Sequence, residues 1–200
     1  MKVITAPEVY EREQDDVFCF LAGGITGCPD WQQEVIKQLE KADLEHLVVF
    51  NPRRENFPIN NPNAAKEQIE WEFKYLNEAD IFSMYFCASE SDQPICMYEL
   101  GRNLALMSRR YHIPYDSEHI AVCVEDGYKR AKDVEIQTDL ALNRDNYVVL
   151  HANPKRHACE IALCYASCYT AFGTGRTSED FGNELDKIKL AGLAEGEDDE

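Results

Sequence analysis

Short apolar runs alternate with amphipathic segments along this chain, and the alternation restricts the fold more than any other feature of the sequence. Five runs have the length and composition of buried strands, and apolar residues at helical spacing follow each of them. This order is typical of a parallel sheet with helices on both faces. We therefore predict a doubly wound α/β fold with a five-stranded, mainly parallel sheet. The predicted strands are residues 17–22, 47–50, 81–87, 119–124 and 147–150. The predicted helices are residues 31–42, 64–77, a segment from about Glu99 to 110, and residues 134–142, 154–170 and 179–191.

Composition divides the 200 residues into three parts. Residues 1–16 are polar and form a lead-in, in which 2–5 could add a short strand. Residues 17–191 carry the whole alternation without an internal repeat or linker, so we predict a single α/β domain there. Residues 192–200 are rich in Asp and Glu, and we expect an acidic, disordered tail.

The formal net charge of −17 limits the partners that this chain can bind. Nucleic acids and anionic membranes require a basic surface, so we predict no nucleic-acid and no membrane partner. A phosphate-bearing small molecule stays open, because it needs only a local cluster of donors. No apolar run reaches the ~20 residues that span a bilayer, and the N-terminus lacks a signal-peptide pattern. We expect a cytoplasmic protein.

Eight cysteines are present, without a Cys-x-x-Cys pair. Several lie inside apolar strand-like runs, where a cysteine behaves as a small buried hydrophobe. We interpret most of them as reduced core thiols of a reducing compartment. A zinc site built from His157, Cys159, Cys164 and Cys168 is an alternative, but these residues share the spacing of one helix face. We predict no metal and no cofactor.

The clearest candidate for chemistry is Glu99, at the start of the predicted helix that follows the third strand and its polar loop, residues 88–93. Junctions of this kind lie at the carboxyl edge of a parallel sheet, where open α/β folds place their ligands. A carboxylate in the first helical turn also meets the positive end of the helix dipole, which favours its ionised form. An ionised carboxylate can serve as a nucleophile. The alternative is a glutamate that only caps its own helix.

Other polar loops should gather at the same edge, namely residues 23–27, 51–54 and 125–128. The first is Gly-Gly-Ile-Thr-Gly, whose backbone N–H groups a ligand could approach closely. It matches neither the dinucleotide fingerprint nor a Walker sequence. A tight strand-to-helix turn would explain these glycines equally well.

Taken together, the motifs resemble the nucleoside 2-deoxyribosyltransferase superfamily, and within it the deoxyribosyltransferase-like branch. They cover roughly residues 17 to 142. The motifs are Phe-Leu-Ala-Gly-Gly-Ile-Thr-Gly at 20–27 with Asp30-Trp31, Phe-Asn-Pro-Arg-Arg at 50–54, Trp71-Glu72, Asn-Glu-Ala-Asp-Ile at 77–81, Tyr-Glu-Leu-Gly at 98–101, Gly-Tyr-Lys-Arg at 127–130 and Asp-Val-Glu-Ile-Gln-Thr at 133–138.

This resemblance implies a flavodoxin- or Rossmann-like fold and chemistry at the N-glycosidic bond of a nucleoside or nucleotide. It implies that Glu99 attacks the anomeric carbon of the sugar and that Glu72, in place of the family's usual Asp, contacts the base. The family's second Asp, near the sugar hydroxyl, corresponds to Gln93 here, although Asp92 is adjacent.

The physical chemistry of the reaction suggests roles for further residues. Glu72 is our candidate general acid, with a pKa raised by burial beside Trp71 or by the charge of Glu99. Trp31 or Tyr98 could stack on the base, although core packing is the common role of a tryptophan. A 5′-phosphate could bind to an arginine pair or to the glycine loop. The full set of predicted substrate-binding residues is Gly23, Gly24, Thr26, Asp30, Trp31, Asn51, Arg53, Arg54, Asp92, Gln93 and Tyr98.

Three functional interpretations remain open at this point. The leading one is an enzyme that cleaves or transfers at the N-glycosidic bond through a Glu nucleophile and a glycosyl-enzyme intermediate. The second is a non-catalytic nucleotide-binding or sensor module on the same fold. The third is an acidic interaction protein. We also predict a homo-oligomer, because helix 154–170 carries more apolar surface than one sheet face needs.

Overall fold

A computed structural model describes residues 1–110, 119–172 and 177–193 of the protein. These residues form one parallel sheet flanked by six helices. From residue 194 on, the predicted acidic tail lies outside the described residues. The strands are β1 (Lys2–Thr5), β2 (Val17–Gly23), β3 (Leu47–Asn51), β4 (Ile81–Phe86), β5 (Ile120–Glu125) and β6 (Val149–Ala152). The helices are α1 (Trp31–Leu39) with a short 3-10 helix (Glu40–Ala42), α2 (Ala64–Glu78), α3 (Pro94–Arg110), α4 (Ala131–Leu142), α5 (Pro154–Phe172) and α6 (Ser178–Leu190).

The order of the strands in the sheet is β1-β3-β2-β4-β5-β6, and every neighbouring pair is parallel. The chain therefore leaves β2 towards one edge of the sheet and returns to continue on its other side at β4. That reversal makes the carboxyl ends of β2 and β4 the switch point, where open α/β sheets form a ligand crevice. The predicted doubly wound, flavodoxin-like class is confirmed.

The predicted number of strands is wrong, because the sheet has six rather than five. The extra strand is β1, the short strand that residues 2–5 could add. It pairs in parallel with β3, and Ile4 lies opposite Phe50 in the register. Its four residues alternate too little in the sequence to stand out, and the buried position of Ile4 against the sheet decides their conformation.

Each face of the sheet has its own hydrophobic core. One core lies beneath α1, α5 and α6, and it includes Leu21, Trp31 and Tyr165. The other lies beneath α2, α3 and α4, and it includes Phe50 and Tyr75. Because adjacent strand residues point to opposite faces, the continuous apolar runs of the sequence supply both cores.

Helix α2 buries a different face from the one that the apolar spacing suggests. Apolar spacing in the sequence favours an inward face of Ile69, Phe73 and Leu76. Leu76 is buried, but Ile69 and Phe73 are 63% and 58% exposed. Trp71 and Tyr75 are buried instead, since the Tyr75 ring stacks on Phe50 with a centroid distance of 4.0 Å. The larger aromatic pair fixes the rotation of the helix.

Helix α3 begins at Pro94, earlier than predicted. Proline is favoured in the first helical turn because its missing N–H is not needed there. Glu99 consequently lies in the second turn of α3.

The last strand is shorter than predicted. It begins at Val149 rather than at residue 147, and its pairing with β5 contains an irregular register.

Helix α5 lies inside the molecule. Its apolar residues Ile161 and Tyr165 are buried, and α5 packs against α1, α6 and the sheet. The apolar surface that we assigned to a subunit contact is thus covered by helices of the same chain. Across the described ranges, no helix has the length and apolar character to span a membrane.

Candidate functional site

A cavity of about 210 Å³ opens at the switch point between β2 and β4. The glycine loop after β2, the start of α3 and one residue of α2 form its wall. Of the predicted site residues, the cavity brings together Glu72, Glu99, Gly23, Gly24, Thr26 and Gln93. The other lining residues are Phe20, Ala22, Ile25, Pro52, Ser91, Pro94, Ile95 and Cys96.

Two carboxyl groups from different helices share this cavity. Glu72 projects from α2 and Glu99 from α3. Burial, followed by the charge of Glu72, raises the pKa of Glu99 to about 7, although the charge of Arg102 acts to lower it. Glu99 does not lie in the first turn of α3 as we expected, so desolvation rather than the helix dipole dominates its pKa. Near neutral pH the pair can hold one proton.

Glu72 has partners that sequence reasoning missed. Burial raises the pKa of Glu72, whereas a hydrogen bond from Gln68 and the charge of Arg54 lower it. The Gln68 amide donates to Glu72 Oε1 at 2.7 Å and to the carbonyl oxygen of Pro52 at 2.8 Å. The four-residue spacing between Gln68 and Glu72 on one helix was the available signal. Gln68 thereby orients one carboxylate oxygen of the pair.

Cys96 also lines the cavity and was not among the predicted site residues. Burial, followed by the charge of Glu99, raises the pKa of its thiol to about 12. A thiol with that pKa stays protonated at neutral pH, and a protonated thiol is a poor nucleophile. The two carboxyls are therefore the candidates for the reactive groups of the pocket.

The glycine loop approaches its neighbours too closely for larger residues. A Cβ atom on Gly23 would lie 2.3 Å from the Tyr85 carbonyl oxygen, and its φ of +150° disfavours other residues. A Cβ on Gly24 would lie 2.5 Å from Cys28 Sγ and 2.6 Å from Gln93 Oε1. The glycines thus allow the loop to pack directly over β4 and the loop that follows it.

Gln93 is held at the base of the pocket in a left-handed conformation, with φ of 49°. Its backbone N–H donates to Ser91 Oγ, and its side-chain Nε2 donates to the Cys87 carbonyl oxygen at 2.7 Å. The neighbouring Asp92 is exposed and does not line the cavity. Of the two candidates for the sugar contact, Gln93 is the residue that the fold brings to the pocket.

Neither aromatic candidate for base stacking lines the cavity. Trp31 is buried, packs on Tyr85 with ring centroids 5.0 Å apart, and donates from Nε1 to the Gly24 carbonyl oxygen at 2.9 Å. It supports the glycine loop from below, so the core alternative applies. Tyr98 is 69% exposed on the outer side of α3.

The remaining predicted residues line a second, wider cavity of about 680 Å³ on the other side of the glycine loop, where Ile25 belongs to both. These residues are Asp30, Asn51, Arg53 and Arg54. Asp30 caps α1 by accepting a hydrogen bond from the Gln33 N–H. Arg54 forms an ion pair with Glu67 at 3.0 Å.

The structure gives Arg53 partners within the protein. Its guanidinium donates to backbone carbonyl oxygens of the glycine loop, and Nε lies 3.6 Å from the Asp30 carboxylate. Asn51 Oδ1 accepts from the Arg53 backbone N–H at 3.0 Å. The expected phosphate clamp of two arginines is therefore not preformed.

The possible zinc ligands on α5 have other neighbours. His157 shares a hydrogen bond with Ser83 at 2.8 Å, and burial lowers its pKa to about 3. Cys168 lies 3.1 Å from His119 Nδ1. Within the part of the chain that the structure describes, no group of three or more His, Cys, Asp and Glu side chains could hold a metal ion.

Comparison with known proteins agrees with the motifs and the fold. The family model described as "Nucleoside 2-deoxyribosyltransferase like" matches residues 16–128, which is more than half of the chain. A search of curated proteins gives no match. The matched region spans β2 to the loop after β5 and contains both carboxyls, the glycine loop and Arg53. The chain belongs to the nucleoside 2-deoxyribosyltransferase-like family.

Proposed function

We propose that this protein is an enzyme that cleaves or transfers at the N-glycosidic bond of a nucleoside, a deoxynucleoside or the 5′-monophosphate of either. The observation that carries the proposal is the pair of carboxyls, Glu72 and Glu99, in one small pocket at the switch point. Membership of the family supports the same class of chemistry. Two neighbouring carboxyls, one able to hold a proton and the other ionised, are the equipment that glycosidic cleavage requires.

In the proposed reaction, the one proton of the pair, which the raised pKa places on Glu99 in the free enzyme, has moved to Glu72 when the bond breaks. Glu72 gives that proton to the leaving base, while ionised Glu99 bonds to the anomeric carbon. The carboxylate also stabilises the positive charge that develops on the sugar. In the second step, water or another base displaces Glu99 from the sugar. The incoming acceptor gives a proton to Glu72, which restores the starting state. Hydrolase and transferase differ only in this acceptor.

The position of a substrate follows from the walls of the pocket. We propose that the sugar lies over Glu99 near Gln93, and that the base lies towards Glu72. Thr26 and the N–H groups of its loop remain the candidate contacts for a 5′-phosphate, since both arginines are engaged elsewhere. Asp30 and Asn51 then act by shaping the loop.

Base release from a panel of nucleosides and their 5′-monophosphates, with and without a second free base, tests the proposal. The assay would compare wild type, Glu99→Gln and Glu72→Gln with a control variant, Glu70→Gln. Glu70 is an exposed glutamate of α2, the helix that also carries Glu72, and it forms an ion pair with Lys66. We expect release by wild type and by the Glu70 variant, and at least a 100-fold loss in the other two. Equal release by Glu99→Gln would contradict the proposed nucleophile.

The pH dependence offers a second test of the shared proton. Activity requires one proton on the pair, so the rate should be bell-shaped, with the basic limb set by loss of that proton. Because the pKa of Glu99 is raised to about 7, we expect kcat/KM to decline above roughly neutral pH. A rate that stays flat to pH ~9 would argue against the carboxyl pair.

One observation favours a second candidate function, a non-catalytic nucleotide sensor. Gln93 provides a neutral amide where the family resemblance implies an acid. If wild type released no base while wild type and Glu99→Gln bound a nucleotide equally well by calorimetry, the sensor would replace the enzyme.

We also propose that the protein is cytoplasmic and forms a homo-oligomer. Its eight cysteines carry thiols rather than disulfides, which fits a reducing compartment. Exposed apolar side chains of α2 and α3 flank the carboxyl pair, and buried apolar side chains of this kind form the core of protein interfaces. We define this set as the α2–α3 patch. It consists of Ile69, Phe73, Ile95, Tyr98 and Leu106.

A second copy is the proposed occupant of the α2–α3 patch, since a two-fold contact brings the same patch of each copy together. Sedimentation velocity of wild type, Phe73→Glu and Leu140→Glu tests this. Leu140 lies on α4 and is 76% exposed, so its variant controls for an added surface charge. We expect only Phe73→Glu to shift the protein to monomer. A monomeric wild type at micromolar concentration would exclude the oligomer.

A further inference from the structure

A single arginine side chain organises the backbone of residues 24–29, which comprise most of the glycine loop and the two residues after it. Arg53 Nη2 lies within hydrogen-bond distance of four carbonyl oxygens, at 2.9 Å from Pro29, 3.1 Å from Ile25, 3.3 Å from Cys28 and 3.5 Å from Gly24. Nη1 lies 3.4 Å from the Cys28 carbonyl oxygen as well. The whole loop thus curls around one guanidinium.

The direction of these carbonyls determines the direction of the N–H groups. In a planar trans peptide, C=O and N–H point in opposite directions. The Ile25 carbonyl accepts from Arg53, and the Gly24 carbonyl accepts from Trp31 Nε1 at 2.9 Å with Arg53 Nη2 at 3.5 Å. The N–H groups of Ile25 and Thr26 therefore point away from these side chains. Ile25 and Thr26 also line the cavity that holds Glu99. Arg53 therefore lies behind the loop, and the two donors lie on the side of the pocket.

We infer that Arg53 is a positioning residue for the glycosidic reaction, which holds loop 24–29 so that the N–H groups of Ile25 and Thr26 stay directed at the bound sugar or its 5′ substituent. This inference rests on the proposed function for its catalytic part. The structural part, the clamped loop, stands independently. Trp31 assists from the core by its hydrogen bond to Gly24, and Asn51 fixes the start of the Arg53 turn.

The chemistry of the side chain explains why arginine is needed at this position. A guanidinium offers five donors in a planar fork, so one group can bridge several carbonyl oxygens. A lysine ammonium carries the same charge, but it offers three donors at a single point. Arg54, the next residue, cannot replace it, because it is directed towards Glu67.

Hydrogen exchange and kinetics on the full-length protein test the inference. The variants are Arg53→Met, Arg53→Lys and Arg12→Met. Arg12 is a matched control, because it also donates to backbone carbonyls, those of Asp16 and Glu78, and it pairs with Asp80 before β4. We expect faster amide exchange in 24–29 for both Arg53 variants, and wild-type exchange there for Arg12→Met. Unchanged exchange in Arg53→Met would overturn the clamp.

The kinetic readout separates positioning from mere stability. Misplacing the loop donors should lower kcat/KM by roughly 10- to 100-fold in Arg53→Met, with Arg53→Lys intermediate, while Arg12→Met keeps the wild-type value despite any loss of stability. Added millimolar guanidinium should restore part of the rate to an Arg53→Ala variant through the open second cavity, and methylammonium should not. Equal losses in the Arg12 and Arg53 variants, or rescue by both cations, would overturn the positioning role. If wild type released no base, the exchange experiment would still decide the clamp, and only the proposed function would fail.

Discussion

At the scale of single residues, two half-buried carboxyls are the most informative feature of this molecule. Partial isolation from water disfavours the ionised form of each, and the charge of Glu72 adds to that effect at Glu99. Gln68 and Arg54 act on Glu72, and Arg102 acts on Glu99. The raised pKa values give the pocket one exchangeable proton near neutral pH, and they also make the pair costly for folding.

The pKa of Glu99 leads to a prediction about stability. In the unfolded chain Glu99 loses its proton near 4.5, whereas in the fold it keeps the proton to about 7. The native state therefore binds more protons between these values, and stability falls as pH rises through that window. Glu99→Gln removes this loss, so we expect it to raise the free energy of unfolding by about 2 kcal/mol at pH ~8, after allowance for partial exposure.

Urea unfolding of wild type and Glu99→Gln at about pH 4 and about pH 8 measures the effect. At the lower pH the two proteins should differ little, because Glu99 is protonated in both states. A larger gain at low pH than at high pH would show that the pKa of Glu99 is lowered rather than raised.

A glycine provides the second prediction at this scale. Gly23→Ala would place its Cβ 2.3 Å from the backbone oxygen of Tyr85, which cannot move without shifting β4. We expect a loss of about 2 kcal/mol or more in thermal or urea unfolding. Gly101→Ala, inside α3 with open space around its Cβ position, is the control and should be neutral or stabilising by about 0.5–1 kcal/mol.

At the scale of elements, the N-terminal segment is tied to helix α2. The Trp71 indole donates to the Glu8 carbonyl oxygen at 2.6 Å, and the Tyr10 backbone N–H donates to the Tyr75 hydroxyl at 2.8 Å. These contacts come from the buried aromatic face of α2, the helix that also carries Glu72. The contacts of Glu8 and Tyr10 thus support the rotation of α2 that directs Glu72 into the pocket.

This coupling predicts the effect of two substitutions in the segment. Ile4→Ala removes a buried side chain of β1, so we expect it to cost about 2–4 kcal/mol of stability. Val9→Ala truncates an exposed residue nearby and should change stability by less than about 0.5 kcal/mol. Denaturant titration of both variants checks the difference. Equal small effects would mean that β1 is not part of the cooperative fold.

At the scale of the whole molecule, the sheet topology and the net charge act separately. The reversal of direction at β2 creates the crevice where the pocket lies, and it depends on strand order alone. The formal charge of −17 affects association and stability through self-repulsion instead. Ion pairs inside the described ranges join mainly exposed groups, which contribute little individually.

The charge predicts a dependence of stability on salt. Added salt shortens the range of repulsion among the excess carboxylates, so the melting temperature should rise between about 10 mM and about 300 mM sodium chloride. Calorimetry at neutral pH measures this, and the rise should shrink near pH ~5, where the net charge is smaller. A melting temperature that falls with salt would show that attractive ion pairs dominate.

The sequence by itself determined the class of fold, the family and the identity of the two carboxyls that share the pocket. Alternating apolar runs specify strands and helices through local periodicity, and the motif around Glu99 stands beside a strand end in any such arrangement. The same patterns located the glycine loop. These features depend on neighbours that are close in the chain.

Only the tertiary structure decided the sixth strand, the buried face of α2 and the partners of Trp31 and Arg53. Each depends on groups distant in sequence, such as the Phe50 ring that stacks on Tyr75 or the loop carbonyls that surround one guanidinium. Apolar spacing cannot rank two competing helix faces, and charge alone does not distinguish a ligand contact from an internal one. Packing and buried hydrogen bonds decide which face of a helix is buried and which partner a charged side chain contacts. These interactions form only when the chain folds.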